Sequence, residues 1–427
     1  MPSWSGDFGA PDAAAMLGTL DPRAPVSVYV HVPFCAQQCS YCGCNMVVAR
    51  QQAAGDRYLD ALEAQLASLP LPAPRLPLAR LHLGGGTPTW LTPEQLRRLF
   101  SLVRTRFSSM PGCARSVEVD PEVTTPAHLD ALAAAKVGRI SLGVQSFEPA
   151  VLQAVGRPQA TDQVVAVVEG ARARGIGSVN LDLMYGLPHQ TTESFGRTLD
   201  QALALRPDRF AVFGYAHVPW LKPHQERLEA HSLPGPRERA DLMLLAQERL
   251  LAAGYVAIGF DHFALPDDAL AIAASEKHLH RDFMGYTERS RTPLVGLGPS
   301  AISELDGGFF QQESKLGPWL RAVREGRLPI VRGLWLSDDD RLRRDAILAL
   351  TCVGHVDFAS LGAQHRTDAH RALADVVDAM SELVDEGLVR WDGRVVRVTE
   401  LGRLAVRRVA MRFDATLGTG GRFSRVV

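Results

Sequence analysis

Six short β-rich runs, at residues 26–32, 80–83, 116–119, 139–144, 178–184 and 209–215, alternate with helical patterns at 57–69, 93–107, 126–135, 161–174 and 192–205. This alternation constrains the fold more than any other feature of the chain. Parallel strands need crossovers, usually helical, so consecutive βα units imply a parallel sheet with helices outside it. A barrel and an open doubly wound sheet both satisfy the pattern. In either one, groups that act on a ligand gather beyond the C-terminal ends of the strands.

Those ends carry the informative residues. The first run leads into Pro33-Phe34-Cys35 and the second into Gly84-Gly85-Gly86. Glu118 and Asp120 close the third, Gln145 the fourth, Asp182 the fifth and Ala216-His217 the sixth. One polar residue at a strand end is unremarkable; six strand ends in succession describe one functional face.

Four of the 6 cysteines fall within ten residues, at 35, 39, 42 and 44. Such crowding suggests metal binding rather than a disulfide framework. A [4Fe–4S] cluster usually takes four thiolates. Cys35, Cys39 and Cys42 on one short loop would hold three corners and leave one iron open to a ligand bearing an amine and a carboxylate, such as the methionine end of S-adenosylmethionine. Structural zinc usually draws four ligands from two knuckles, and no second knuckle follows. A Cys39–Cys42 redox pair would ordinarily precede a helix in a thioredoxin-like unit. Cys113 and Cys352 stand alone and read as small buried hydrophobes rather than ligands. The triglycine run bares backbone against which a ligand can lie, but lacks the spacing of a Walker or dinucleotide loop.

Lys and Arg total 46 and Asp and Glu 47, a net charge of −1 that creates no general attraction for nucleic acid or anionic membrane. No run approaches the ~18 apolar residues of a membrane span, and the first 25 residues lack the basic start and apolar core of a secretory signal. A cytoplasmic chain is expected. Its organisation reads as an N-terminal arm (1–25), a βα core (26–235), an extension with substrate-side elements (236–335) and a mostly helical, winged-helix-like C-terminal domain (336–427). Residues 337–427 hold equal numbers of acidic and basic groups, so that last shape is not expected to read DNA.

Several motifs resemble those of the oxygen-independent coproporphyrinogen III oxidases of the radical S-adenosylmethionine superfamily. They are Tyr29-Val-His31-Val-Pro-Phe-Cys35 with Cys42-Gly-Cys44-Asn45, Gly-Gly-Gly-Thr-Pro-Thr at 84–89, Val-Glu-Val-Asp-Pro at 117–121 and Leu-Gly-Val-Gln-Ser-Phe at 142–147. Asn-Leu-Asp-Leu-Met-Tyr-Gly-Leu-Pro at 180–188, Tyr-Ala-His at 215–217, Asp-His-Phe-Ala at 261–264 and Leu-His-Arg-Asp-Phe-Met-Gly-Tyr-Thr at 279–287 extend the match. Haem-chaperone relatives typically carry an aspartate–phenylalanine pair where this chain has Gly43-Cys44, which favours the oxidase reading.

The resemblance implies an α/β fold, a partial (β/α)6 TIM-like barrel with a mostly helical C-terminal domain. It implies oxidative decarboxylation of two propionates of coproporphyrinogen III to the vinyl groups of protoporphyrinogen IX, by way of a 5′-deoxyadenosyl radical. Cys35, Cys39 and Cys42 would ligate the cluster. Tyr29, Tyr41, Gly85, Gly86, Thr87, Glu118, Gln145, Arg157, Asp182, Ala216 and Ile302 match positions that contact S-adenosylmethionine, in one molecule or divided between two. Tyr29, His31, Cys44 and Glu118 are the catalytic candidates, and Arg50, Arg281 and Arg332 the candidates for substrate carboxylates. A low-potential donor such as flavodoxin or ferredoxin and a monomeric state are further expectations. The alternatives are a haem-binding chaperone of the same family and another radical enzyme acting on a tetrapyrrole.

Overall fold

A computed structural model describes residues 4–228, 232–288 and 291–417. The chain divides into two compact units. The larger comprises Ser5–Tyr255 and Thr292–Gly333, and the smaller comprises Val256–Arg291 and the chain from Leu334.

In the larger unit, β1 (Val26–Val32), β2 (Leu76–Gly85), β3 (Phe107–Val119), β4 (Arg139–Gln145), β5 (Ser178–Tyr185) and β6 (Arg209–Gly214) lie side by side in sequence order, every neighbouring pair parallel. Sequential order excludes the doubly wound alternative, whose order reverses at a switch point. On the far side of β1, β7 (Leu294–Leu297) pairs parallel to it, followed by β8 (Ile302–Leu305), β9 (Gly308–Gln312) and β10 (Ile330–Trp335). The first six strands form the partial (β/α)6 barrel. Its curvature brings the loop after β6 back to the loop after β1, where Gln225 Nε2 donates to the carbonyls of both Ala216 and Tyr41.

Alternation along the strands explains which face became core. Val28, Val30, Leu81, Leu83, Val117, Ile140, Leu142, Val179 and Leu181 are all buried. They lie under the crossover helices α1 (Ala53–Ser68), α2 (Pro93–Arg106), α3 (Pro126–Ala134), α4 (Thr161–Ala173) and α5 (Thr192–Ala204), whose buried stripes include Leu62, Leu99, Leu132, Val168 and Leu199. The opposite register, facing the barrel interior, is polar: Tyr29, His31, His82, Ser116, Glu118, Ser141, Asn180 and Asp182. Helix starts are set locally. Thr92, Thr125 and Thr191 cap α2, α3 and α5, each hydroxyl accepting from the amide three residues on, with proline at the first helical position of α2 and α3.

The smaller unit has its own core around Leu342, Leu350, Phe358, Leu373, Leu383 and Phe413. Three short strands, His355–Asp357, Val389–Trp391 and Val395–Val398, form its antiparallel sheet. Asp392 shapes the hairpin turn by accepting from the amides of Arg394 and Val395, with Gly393 at φ 84°. Among the described residues no helix is long and apolar enough to cross a membrane.

Candidate active site

The cysteine loop leaves β1 through Phe34–Cys35, which pairs with Val47–Val48 and closes the loop at its base. Phe34 is buried against Trp90, ring centroids 4.6 Å apart. Each of the three predicted ligand sulfurs faces a group able to donate to its thiolate: the Thr87 hydroxyl at 3.4 Å from Cys35, Arg157 Nη1 at 3.6 Å from Cys39, and the Cys44 amide at 3.4 Å from Cys42. Burial pushes the Cys35 thiol up to about 12 and raises that of Cys39, whereas hydrogen bonding with Cys44 brings Cys42 down to about 7.

Among the described residues no three Cys, His, Asp or Glu side chains converge tightly enough to hold a single ion. A cube that takes one sulfur at each of three corners asks for no such convergence. Three sulfurs on one loop, each supplied with a donor that stabilises thiolate, fit a [4Fe–4S] group.

The triglycine turn packs directly on this loop. The Gly86 amide donates to the Val32 carbonyl at 2.8 Å and the Thr87 amide to the Phe34 carbonyl at 2.7 Å. A Cβ on Gly86 would lie 2.6 Å from the Phe34 carbonyl oxygen. Gly85 has φ +115°, and a Cβ there would lie 2.6 Å from the His31 ring. Gly85→Ala is therefore expected to cost about 2–4 kcal/mol, combining backbone strain with overpacking. Urea denaturation measures this, and a loss below 1 kcal/mol would show that the ring moves freely aside.

His31 is buried and its protonation is pinned by its partners. Nε2 lies 2.7 Å from the Asn45 carbonyl, which only accepts, so Nε2 carries the hydrogen and Nδ1 accepts from the Tyr29 hydroxyl at 3.0 Å. Burial lowers the His31 pKa, keeping the ring neutral. Tyr29 stacks on His82 at 5.9 Å, and burial holds its phenol well above the ordinary range. His82 reaches Ser116 Oγ at 2.8 Å and Glu118 Oε1 at 3.3 Å, while the Gly85 amide donates to Glu118 Oε2. Burial alone would raise the Glu118 carboxyl, but His82 and the Gly85 amide outweigh it and keep it ionised.

Across the interior, Asp182 accepts from Asn180 Nδ2 at 2.7 Å and from Ser141 Oγ at 3.2 Å. Burial, with the Glu118 charge adding to it, pushes the Asp182 carboxyl up to about 7. Arg157 is buried and joins three parts of the site. It pairs with Asp120 at 3.1 Å, approaches the Cys39 sulfur and donates to the Gly143 carbonyl. Gln145 sits at φ +67°, a conformation few side chains adopt and one that recurs at functional positions.

Tyr41 lies in the cysteine loop, and burial raises its phenol. Ala216 is exposed just beyond β6, and Ile302 opens β8 at the same rim, two residues after Ser300, whose hydroxyl lies 3.4 Å from the His31 ring. Cys44 is exposed and bonds Cys42 through its amide. The predicted residues of β1 to β5 thus fall into separate hydrogen-bonded sets along the barrel interior, around Glu118, Asp182 and Arg157, with Ala216 and Ile302 at the rim. Arg50 is exposed, Arg332 donates to Gln311, and Arg281 lies over the Phe260 and Tyr286 rings of the smaller unit. The sequence reading missed His82, Ser116, Ser141 and Asn180, although their inward register with Tyr29 and Asp182 marks them. It also missed Lys222, His224 and Gln225, which lie in an irregular loop with no period to reveal them.

The model of the radical SAM superfamily matches residues 29–202. The oxygen-independent coproporphyrinogen III oxidase of Salmonella typhimurium is 42% identical over 410 residues, 95% of this chain and 90% of that protein. The chain belongs to this family. A second member, from Bradyrhizobium diazoefficiens, is 39% identical over 98% of the chain and 93% of its own length. The solved structure of the coproporphyrinogen III oxidase of Escherichia coli, described as a radical SAM enzyme, superposes with a TM-score of 0.94 at 40% identity, covering 97% of this chain and 96% of that one. Membership in the oxidase family carries with it a [4Fe–4S] cluster and S-adenosylmethionine as cofactors.

Proposed function

We propose that this chain decarboxylates coproporphyrinogen III to protoporphyrinogen IX without oxygen in haem biosynthesis. It does so in the cytoplasm as a monomer, supplied with electrons by a low-potential donor such as flavodoxin or ferredoxin. The observation that carries the reading is the meeting of three donor-supplied cysteine sulfurs with a polar barrel interior, in a chain of this family. When bound, the cluster and S-adenosylmethionine supply a one-electron reduction and a carbon radical able to take hydrogen from the propionate β-carbon.

The chain's own residues bind, orient and exclude water. Cys35, Cys39 and Cys42 hold the cluster, and Phe34 with Trp90 keeps the loop dry on its inner side. The bare backbone at Gly85 and Gly86 with Thr87 would offer a bed for the amino-acid end of S-adenosylmethionine, and Glu118 and Asp182 are carboxylates that would suit its ammonium or ribose hydroxyls. Tyr41, Gln145, Arg157, Ala216 and Ile302 complete that pocket, in one molecule or divided between two. Tyr29 donates to neutral His31, leaving no mobile proton on that ring. Cys44 lies exposed at the loop's end, where it can face substrate.

Asp182 gives a pH test. Its raised carboxyl means that folded-state stability declines as pH rises from the unfolded value near 4 through about 7. Asp182→Asn removes that cost, so the ligand-free variant should gain about 1 kcal/mol at pH 8 and nothing near pH 4, a figure discounted for partial exposure. The same change should weaken S-adenosylmethionine binding about tenfold, the worth of one charge-assisted hydrogen bond. Melting at the two pH values with calorimetric binding checks both, and unchanged affinity would remove Asp182 from the pocket.

The function itself is tested anaerobically with reconstituted protein, dithionite, S-adenosylmethionine and coproporphyrinogen III. Protoporphyrinogen and 5′-deoxyadenosine should form together. 5′-Deoxyadenosine with untouched substrate would mean a different tetrapyrrole, and tight haem binding without product would mean the chaperone.

A further inference from the structure

The loop after β6 grips the cysteine loop by its backbone. Lys222 Nζ donates to the Cys44 carbonyl at 3.1 Å and His224 Nε2 to the Cys42 carbonyl at 2.7 Å. Gln225 Nε2 donates to the Tyr41 carbonyl at 2.9 Å. Gln225 is 1% exposed, and its own Oε1 accepts from the Val218 amide, so the gripping loop is itself braced. Carbonyls only accept, so all three side chains are fixed as donors.

The three carbonyls occupy particular places. Those of Cys42 and Cys44 belong to the peptides on either side of the one joining Gly43 to Cys44, whose N–H donates to the Cys42 sulfur at 3.4 Å. Gly43 has open space around it, with nothing within 4 Å of a built Cβ. Left alone, a Gly-containing stretch of this kind would rotate readily. Pinning the peptides on both sides holds the central N–H on the sulfur.

We infer that Lys222, His224 and Gln225 form a positioning clamp that keeps the Cys44 amide on the Cys42 sulfur and so raises the reduction potential of the cluster. An N–H aimed at a cluster sulfur stabilises the extra electron of the reduced state, one of the levers by which proteins set such potentials. The inference rests on Cys42 being a cluster ligand, as proposed above. The three residues are positioning groups, since none touches a sulfur.

The test uses the full chain reconstituted anaerobically, comparing wild type with the double variant Lys222→Met/His224→Leu by iron and sulfide content and by EPR at controlled potentials. The variant is expected to retain its iron while its reduced-to-oxidised ratio at a fixed potential falls about tenfold, which is ~59 mV for one electron. His224→Gln, which keeps a donor, should recover most of that shift. Unchanged potential together with wild-type loss of iron to a chelator overturns the clamp. Where the double variant loads no iron, loading by His224→Gln supports the clamp and failure of that variant too overturns it. Cys42→Ala is the control. Full iron retention there would remove the ligand assignment and the clamp with it, whereas a shiftless double variant beside an iron-depleted Cys42→Ala defeats the clamp alone.

Discussion

Cys39→Ala is expected to yield a folded protein that cannot be loaded with its cluster. The Cys39 sulfur is buried at the centre of the loop, 3.6 Å from Arg157 Nη1, and an alanine there supplies no ligand in its place. Iron after reconstitution should fall to background, and formation of 5′-deoxyadenosine should drop by at least about 10³-fold, since the protein alone has no group that reduces a sulfonium. The melting temperature of the metal-free protein should move little, because only one buried sulfur is lost. A variant that retained full iron and activity would show that the cluster is held elsewhere.

The second large effect is expected at Arg157, and it falls on the fold as much as on the chemistry. Arg157 is 6% exposed. Burial alone would favour its losing the proton, but Tyr41, Asp120 and Cys39 around it keep it firmly charged. Arg157→Met would leave Asp120 without its cation and the Cys39 sulfur without its donor, and would take a hydrogen bond from the Gly143 carbonyl. Removing one partner from such a buried arrangement typically costs about 3–5 kcal/mol. Urea unfolding should report that loss, and Arg157→Lys should recover less than half of it, since one ammonium cannot reach three acceptors in the planar pattern of a guanidinium. A loss under 1 kcal/mol would mean that Asp120 finds water readily and that the pocket is more open than its burial indicates.

The parts legible in the sequence were those governed by periodicity or by a dense motif. The βα rhythm identified all six barrel strands because helix and strand periods differ, though β2 and β3 begin well before the runs at 80–83 and 116–119. Those N-terminal extensions include Pro77, Pro111 and Gly112, residues that argue against strand and hide it from a propensity reading. The choice between barrel and doubly wound sheet was not legible, because it depends on strand order in space rather than on any residue.

The site divides in the same way. Cys35, Cys39, Cys42, the triglycine and the strand-end acids announced themselves by spacing and position. Their supporting partners did not. His82 looked like one more residue of an apolar run, yet its ring joins Tyr29, Ser116 and Glu118. Lys222, His224 and Gln225 act from a segment 178 to 184 residues away from the carbonyls they hold, and no local signal carries contact at that separation. The isolated cysteines also came out differently from the simplest reading. Cys113 and Cys352 are each partly exposed rather than fully buried, the first beside the exposed residues 109–112 of a long strand.

The two-residue alternation of the barrel strands has a consequence for how this protein tolerates change. Val28, Val30, Leu81 and Leu142 contribute to cohesion, while Tyr29, His31, His82 and Ser141, their immediate neighbours in the chain, contribute to reactivity. The two sets point to opposite sides of one sheet and share few partners, so their substitutions should combine almost independently. A lineage could retune its substrate by drifting through the odd positions of β1 while the even ones stay fixed, or repair a weakened fold through the even ones without disturbing catalysis. Adaptation and robustness would then be separated by the pleat of the backbone, one residue apart.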